Sequence, residues 1–306
     1  MIMKFINLSS LCEEEAVLTA SVLCLGNFDG VHLGHRQLIK TALQYKRRHP
    51  SVLCGAWLFS NLAGKSAPAI FSTEQKLREL ASLGLDCAFI ADFNEVKDLS
   101  PADFVNDILK SQCRCVHAVC GENFRFGKGA SASAEQLLSL MDGNASIVPL
   151  FKIEQNTVSS TAIRTFLQNG DVGSASAYLG RDYSLSLPVV HGKELGRSLG
   201  FPTVNQDAPV SFILKRGVYA TLCEIDGVEY PAVTNVGVRP TVDSVERENI
   251  ETHIIGFSGD CYGKTVKISF VARIRDEIRF DSLGALCEQI FKDMNTAETV
   301  IKEKKR

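Results

Sequence analysis

The secondary-structure pattern of this chain changes abruptly near residue 182. Before that point, apolar runs typical of buried parallel strands alternate with amphipathic helix patterns. After it, short β-rich runs follow one another, and a helical pattern returns only over 282–294. The sequence therefore predicts two domains, residues 1–182 and residues 183–306.

The first domain is predicted to be α/β, with a parallel sheet. Its strand signals lie at residues 21–25, 52–59, 87–93, 115–121 and 146–151. The intervening helices carry start signals, such as a capping-box pattern at Ser72 and a first-position proline at Pro101. Alternating strands and helices imply right-handed crossovers and a doubly wound, Rossmann-like sheet. Ligands of such sheets bind at the carboxyl ends of the strands.

The second domain is predicted to be a small antiparallel β-barrel closed by a C-terminal helix. Its β-rich runs lie at residues 184–191, 217–225, 228–236, 252–257 and 265–272. The dipeptide at 226–227, Asp-Gly, is a strong hairpin-turn signal between two of these runs. Apolar residues over 282–294 recur on one helical stripe, and we interpret Lys302–Arg306 as a solvated tail.

The decapeptide GNFDGVHLGH, residues 26–35, lies between a predicted strand and a predicted helix over 35–48. Gly30 and Gly34 let the backbone approach a bulky anion, and the helix start offers unpaired N–H groups to phosphate. His32 and His35 can hydrogen-bond phosphate oxygens and offset charge that develops during displacement at phosphorus. This arrangement predicts a nucleotide site. The alternative is a glycine-rich turn with two surface histidines.

Two later segments are expected at the same edge of the sheet. The segment GENFRFGKG places Asn123, Arg125 and Lys128 among three glycines. The segment SSTAIR, residues 159–164, opens a helix with hydroxyl groups and places Arg164 one turn further on, a pairing suited to anion capture. Simple helix capping is the alternative interpretation of this second segment.

In the second domain the most informative run is GRSLGFPTVN, residues 196–205. Its glycines flank a loop whose backbone can approach phosphates, and Thr203 and Asn205 offer the hard oxygen ligands that Mg²⁺ accepts beside a nucleotide. A plain turn is the competing interpretation. Glu251 lies in a strand-like segment and, taken alone, reads as an ordinary exposed carboxylate.

The composition is that of an ordinary globular protein without a strong global charge. The 306 residues are 45% hydrophobic and 22% charged, with a net charge of −2 and a pI near 6.3, which argues against nucleic acid or a membrane surface as partner. The apolar runs are too short to span a bilayer, and the N-terminal one is too short for a signal peptide. We therefore expect a cytoplasmic protein whose ten cysteines are mostly reduced thiols. The sequence indicates no oligomeric state.

One cysteine-rich segment could be mistaken for a metal site. Cys113, Cys115, His117 and Cys120 lie close together in the sequence. Alternation along the predicted strand puts Cys115 and His117 on one face and Cys120 on the other, so they cannot converge on one tetrahedral ion. The chain contains no CxxC pair, and we interpret these residues as part of a buried strand.

Six ordered segments together resemble one family. They are GNFDGVHLGH, GENFRFG, SSTAIR, GRSLGFPTVN, NVGVRPTV and a C-terminal segment that begins RDEIRF. In this order they closely resemble the prokaryotic bifunctional riboflavin kinase/FAD synthetases, and the resemblance covers nearly the whole chain. It implies an N-terminal nucleotidylyltransferase-like FMN adenylyltransferase and a C-terminal riboflavin kinase barrel.

The resemblance also implies roles for individual residues. Glu251 matches the base of a kinase that moves the γ-phosphoryl group of ATP to the 5′-hydroxyl of riboflavin, and Thr203 with Asn205 match its nucleotide and Mg²⁺ motif. In the other module FMN would attack the α-phosphorus of ATP and release pyrophosphate as FAD forms, supported by His32 and His35. The remaining positions expected to bind nucleotide or flavin are Gly26, Phe28, Asp29, Gly30, Gly34, Asn123, Arg125, Ser160, Thr161, Arg164, Gly196, Gly200 and Pro202.

The chain departs from the family pattern after Phe59, where Ser60-Asn61-Leu62-Ala63-Gly64 replaces a Pro-His-Pro-like turn. Two alternatives to a bifunctional enzyme therefore remain. One is a riboflavin kinase whose N-terminal module has become a scaffold, and the other is a non-catalytic flavin or nucleotide sensor. Retention of Glu251 argues against the sensor, because binding alone requires no base.

Overall fold

The computed structural model describes residues 4–7, 19–61, 68–192, 196, 199–209, 211–239 and 247–304. The chain divides into two compact units, Met1–Ser160 and Thr161–Arg306. The division lies 22 residues before the predicted boundary at 182, because two helices that follow Ser159 fall in the second unit. A boundary at 182 remains a prediction.

The first unit is built on a parallel sheet with helices between its strands. Its strands are β1 (Lys4–Asn7), β2 (Ser21–Leu25), β3 (Leu53–Asn61), β4 (Cys87–Asp92), β5 (Cys115–Gly121), β6 (Arg125–Phe126), β7 (Ala132–Ser133), β8 (Ala145–Val148), β9 (Lys152–Ile153) and β10 (Asn156–Thr157). Its helices are α1 (Leu33–Arg48), α2 (Thr73–Ser82), α3 (Phe93–Val96), α4 (Pro101–Asp103), which continues as a π-helix over Phe104–Gln112, and α5 (Ala134–Leu140), with a 3₁₀ turn at Lys128–Ala130.

The main sheet has six strands in the order β1-β4-β3-β2-β5-β8, and every neighbouring pair is parallel. Its two faces pack against separate apolar cores. Along β2, Val22 and Cys24 face the core formed with α1 and α2, whereas Leu23 and Leu25 face the core formed with the π-helix and α5. Helices cover both faces, which confirms the predicted α/β fold.

The predicted strict alternation along β5 is wrong. Ser21 pairs with Cys115 and Val22 with His117, so the register skips Val116. Cys115 and Cys120 consequently pack in the same apolar core, and not on opposite faces. Cys115 and Cys120 are buried in β5 as expected, whereas His117 is half-buried and the buried Cys113 precedes the strand. The described residues contain no group of three or more His, Cys, Asp or Glu side chains placed to hold a metal ion.

The second unit is a curled antiparallel sheet with helices. Its strands are β11 (Tyr183–Pro188), β12 (Thr203–Asp207), β13 (Gly217–Ile225), β14 (Val228–Arg239), β15 (Arg247–Ile254) and β16 (Thr265–Arg275), in the order β11-β16-β13-β14-β15-β12. Its described helices are α6 (Ser160–Asn169), whose first residue belongs to the first unit, α7 (Val172–Leu179) and α8 (Leu283–Lys304). The edge strands approach each other at an isolated bridge, where Val190 N donates to Asn205 O at 2.8 Å.

Two local predictions for this unit have different outcomes. The hairpin turn is confirmed, because Asp226 and Gly227 join β13 to β14 with φ angles of 50° and 81°. In the predicted solvated tail, residues 302–304 are exposed as expected, but they are helical, since α8 continues to Lys304. Ala297 and Ile301 extend the buried stripe of the helix beyond the predicted end, and this packing keeps the last turns helical.

Candidate active sites

His32 and His35 form one stacked pair at the start of α1. His32 is the N-cap of this helix, and its Nδ1 accepts a hydrogen bond from His35 N at 3.4 Å. The two imidazole rings stack with centroids 3.6 Å apart and planes at 18°. The predicted pair therefore lies at a helix N-terminus, where free backbone N–H groups and the helix dipole favour an anion.

The turn before α1 has an unusual backbone. Phe28, Gly30 and Val31 have φ angles of 52°, 81° and 44°. Glycine adopts this region easily, whereas a β-branched residue such as Val31 pays about 1–3 kcal/mol there. Phe28 and Val31 are fully buried, so core packing maintains the strained turn.

Asp29 is turned into the protein and holds the same turn in place. Its carboxylate is buried and accepts a hydrogen bond from Ile70 N at 2.9 Å. Its carbonyl oxygen accepts from the Ser160 hydroxyl at 2.8 Å. These bonds give Asp29 a structural role in shaping the turn. A direct contact between Asp29 and a ligand remains a prediction.

A cavity of about 260 Å³ lies beside the histidine pair. The predicted site residues that line it are Gly26, His32, Gly34, His35, Asn123 and Ser160. The wall also contains Phe124, Phe151 and Val158, which we did not predict as site residues. Phe124 lies inside the GENFRFG segment, whereas no sequence motif marks Phe151 or Val158.

The other predicted residues of the first module are not among those that line this cavity. Phe28 and Gly30 belong to the turn before α1, and Arg125 Nε donates to Ala130 O at 3.1 Å. Thr161 and Arg164 belong to the second compact unit. Nucleotide or flavin binding by these residues remains a prediction.

The surroundings of His35 favour its neutral form. Burial lowers the pKa of His35 well below its usual range, and the neighbouring His32 and Lys76 lower it further. Within the described part of the chain, its buried Nδ1 atom has no hydrogen-bond partner. A neutral imidazole offers one N–H donor and one acceptor, so His35 can hydrogen-bond a phosphate without carrying a full charge.

In the second unit, Asn205 and Glu251 lie opposite each other on β12 and β15. The buried Asn249 side chain lies beside both, and its Nδ2 donates to Glu251 Oε1 at 2.9 Å and to Asn205 Oδ1 at 3.3 Å. Glu251 itself is exposed. The arrangement presents a solvent-accessible carboxylate whose orientation is fixed from the protein side.

A cavity of about 610 Å³ adjoins this strand pair. The predicted residues that line it are Pro202, Thr203 and Asn205. Thr203 and Asn205 belong to β12, a strand that the sequence did not predict, so strand geometry and not a loop holds these oxygen donors. Residues 257–262 also line this cavity.

The glycines around this cavity have different roles. A Cβ atom on Gly192, which we did not predict, would collide with the side-chain amide of Asn205. Gly196 approaches the carbonyl group of Phe201, and its own carbonyl oxygen accepts from Phe201 N at 2.8 Å. Gly200 has a φ angle of 85°, which favours glycine. Nucleotide binding by Gly196 and Gly200 remains a prediction.

Asn235 and Glu277 extend the polar surface around Glu251, and sequence reasoning did not assign them. Asn235 lies opposite Glu251 on β14, and its Nδ2 donates to Glu277 Oε1 at 3.2 Å. The Glu277 carboxylate fits against Gly237, where a Cβ atom would collide with it. Asn235 and Glu277 lie in the segments NVGVRPTV and RDEIRF, so these two motifs could have identified them from the sequence.

Across the described ranges, no helix is both long and apolar enough to cross a membrane.

In the comparison with known proteins, two family models match separate parts of the chain. A family model described as FAD synthetase matches residues 14–162, and one described as riboflavin kinase matches residues 179–301. A crystal structure described as a macrolide-efflux protein from Streptococcus pneumoniae is similar with a TM-score of 0.86 and 29% identity, over 97% of this chain and 99% of that chain.

Two curated relatives match nearly the full length. The bifunctional riboflavin kinase/FMN adenylyltransferase of Bacillus subtilis is 35% identical over 297 residues, which cover 93% of this chain and 93% of the relative. The protein of the same name from Escherichia coli (strain K12) is 35% identical over 304 residues, which cover 95% and 94%. The chain belongs to the family of bifunctional riboflavin kinase/FMN adenylyltransferases.

Proposed function

We propose that the protein converts riboflavin to FMN in its second unit and FMN to FAD in its first unit, with ATP as co-substrate in both reactions. The observation that carries this proposal is that each unit has its own cavity, bordered by side chains suited to phosphate chemistry. In the first unit these are the stacked histidines, and in the second they are Thr203 and Asn205 next to Glu251.

Glu251 acts as the general base of the kinase reaction. Its exposed carboxylate can reach a substrate hydroxyl, and the Asn249 amide fixes its orientation. As the 5′-hydroxyl of riboflavin approaches the γ-phosphorus of ATP, Glu251 takes the hydroxyl proton and ADP leaves. A positioned base of this kind accelerates a reaction by about 10²–10⁴-fold.

Thr203 and Asn205 would hold the Mg²⁺ that accompanies ATP in the kinase site. Their side chains line the cavity and offer a hydroxyl and a carbonyl oxygen, which are hard donors of the kind Mg²⁺ binds together with water and phosphate oxygens. Asn205 Oδ1 accepts one hydrogen bond from Asn249 and keeps a second lone pair for an ion. When bound, the ion offsets negative charge on the phosphates.

The adenylylation reaction requires that the two substrates be positioned, more than that a nucleophile be activated. The phosphate group of FMN is already ionised, so no protein nucleophile is needed when it attacks the α-phosphorus of ATP and pyrophosphate leaves. His32 and His35 at the start of α1 donate hydrogen bonds to the phosphates, with Asn123 and Ser160 beside them. Thr161 and Arg164 complete the proposed set.

The proposal also covers the binding partners of the enzyme and its location in the cell. Its partners are the small molecules riboflavin, FMN and ATP, without nucleic acid. The near-neutral net charge of −2 supports this view, because it provides no basic field for a polyanion. A cytoplasmic location is part of the same proposal.

Two variants of the full-length protein test whether the two activities are separate. Glu251→Gln should lower riboflavin phosphorylation by about 10²–10⁴-fold and leave adenylylation of added FMN unchanged. His35→Ala should lower adenylylation of FMN by about 10²–10³-fold and leave riboflavin phosphorylation unchanged. If either folded variant lost both activities equally, the assignment of one reaction to each unit would be wrong.

A further inference from the structure

Lys76 is a buried cation that the proposed reactions do not yet use. The residue lies on α2 and is only 6% exposed. Among the residues that the structure describes, its ammonium group forms no hydrogen bond and no ion pair within 4.0 Å. Buried lysines are normally paired, because an ammonium group loses favourable hydration when it leaves water. An ammonium group without a close partner on so largely buried a residue therefore requires an explanation.

Two contacts place this side chain next to the histidine turn. Six residues before Lys76, Ile70 N donates to the Asp29 carboxylate at 2.9 Å. Three residues after it, on the same helix face, Glu79 forms an ion pair with Arg36 at 3.9 Å, and Arg36 directly follows His35. The segment around Lys76 is therefore fixed to the turn at one end and to the first turn of α1 at the other.

Electrostatic effects agree with this position. Burial lowers the pKa of Lys76, and the negative charge of Asp29 partly opposes that effect. In turn, the positive charge of Lys76 contributes to the lowered pKa of His35. The ammonium group thus lies close enough to Asp29 and His35 for their charges to interact.

We propose that Lys76 binds a phosphate group of one of the two adenylylation substrates at the start of α1. The inference rests on the proposed adenylyltransferase function of the first unit. A neutral His35 and backbone N–H groups supply hydrogen bonds but no full positive charge, whereas negative charge develops on the reacting phosphates. Lys76 supplies a full positive charge beside the histidine pair, in addition to the proposed Arg164. The phosphate belongs either to the leaving pyrophosphate portion of ATP or to the attacking FMN.

This proposal explains why the chain contains a buried Lys76 although its charge lowers the stability of the folded protein. Without substrate, the ammonium group forms no ion pair among the described residues, and the charge of Asp29 only partly offsets the cost of burying it. With substrate, the phosphate becomes its partner. Stability and activity should therefore respond in opposite directions when the charge is removed, as is common for residues kept for function.

The test compares Lys76→Met, which keeps the length and apolar stem of the side chain, with the full-length parent. We expect Lys76→Met to unfold at an equal or higher temperature and to form FAD from FMN about 10²-fold more slowly. Lys76→Arg should restore part of the rate. Lys40→Met is the matched control, since Lys40 is exposed on α1 and its removal should change neither quantity.

Ligand binding tests the charge independently of turnover. Inorganic pyrophosphate and FMN, added separately, should raise the unfolding temperature of the parent protein, and the probe whose phosphate Lys76 binds should stabilise Lys76→Met less. If both probes stabilise the two proteins equally, Lys76 does not bind phosphate. A clear fall in the unfolding temperature of Lys76→Met, with equal loss of both activities, would instead identify a structural lysine.

The ligand-binding experiment also separates the role of Lys76 from the proposed adenylyltransferase function. A parent protein that forms no FAD overturns adenylylation, yet a charge-dependent response to pyrophosphate or FMN would still support phosphate binding by Lys76. A parent protein that forms FAD at the same rate as Lys76→Met overturns the role of Lys76 alone.

Discussion

Asn205 and Glu251 face each other across β12 and β15, and the Asn249 amide donates to both side chains. One buried amide therefore sets the orientation of the expected magnesium ligand and of the expected base together. In our proposal the two groups act on the same phosphoryl transfer, so their relative position should affect the rate directly. Asn249 would then be important for the kinase through the orientation of both groups.

Asn249→Asp tests this relationship. The substitution keeps the size of the side chain but removes the donor and places a second carboxylate next to Glu251. We expect riboflavin phosphorylation to fall by about 10–10²-fold, because a small misplacement of reacting groups is costly. Asn144→Asp introduces the same chemical change at an exposed position of the first unit and should have no effect on phosphorylation. Equal rates in all three proteins would contradict an orienting role for Asn249.

Gly34→Ala tests the geometry of the histidine pair. A Cβ atom at Gly34 would lie 3.2 Å from Cε1 and Nδ1 of His32, so the ring must move. We expect slower FAD formation from FMN, with kcat affected more than the binding of ATP. Gly173→Ala is a matched control, because Gly173 is also the second residue of a helix and its Cβ would meet only Asp171 Oδ1 at 3.6 Å. An unchanged rate in folded Gly34→Ala would mean that the ring position is unimportant.

The neutral state of His35 predicts a pH dependence of stability. Burial, His32 and Lys76 lower the pKa of His35 in the folded protein. The unfolded chain, with a histidine pKa of about 6.5, binds the proton more readily. Stability should therefore fall as the pH drops below about 6.5, since protons favour the unfolded state. Chemical denaturation between pH 7 and pH 5 should show a smaller loss for His35→Gln than for the parent. Equal losses would show that His35 does not titrate differently on folding.

The position of the domain boundary predicts different stabilities for two fragments. Lys215 N donates to Leu167 O at 3.0 Å, and α7 buries Val172, Ala175, Tyr178 and Leu179. A fragment of residues 161–306 keeps these interactions, whereas a fragment of residues 183–306 loses them. We expect the shorter fragment to unfold at least about 10 °C lower, although both retain Glu251. Equal unfolding temperatures would support an independent domain that begins at 183.

The pattern of apolar runs and turn residues predicted most of the architecture. Strands β2, β5 and β13 have the predicted ends, because apolar runs and turn residues bound them clearly. The strand β12 was missed, since a glycine- and proline-containing motif precedes it and its alternating polar residues resemble a loop. Its pairing with β15 is a long-range interaction, which local propensity does not encode.

Motifs identified candidate residues but not their orientation. Asp29 belongs to the predicted nucleotide motif, yet its carboxylate binds Ile70 N inside the protein. Conversely, Lys76 and Asn249 carry no obvious sequence signal, because an isolated lysine in a helix or asparagine in a strand is usually exposed. Only the fold shows that both are buried beside chemically important groups.

The segment after Phe59 that departs from the family pattern lies in the first unit, and part of it, residues 62–64, lies outside the described residues. The most direct test of the central claim is the identity of the flavin product when purified full-length protein is incubated with riboflavin, excess ATP and Mg²⁺. Our account predicts that FMN appears first and is then converted to FAD. Accumulation of FMN without FAD would leave a riboflavin kinase with an inactive first unit, and unchanged riboflavin would contradict both proposed activities.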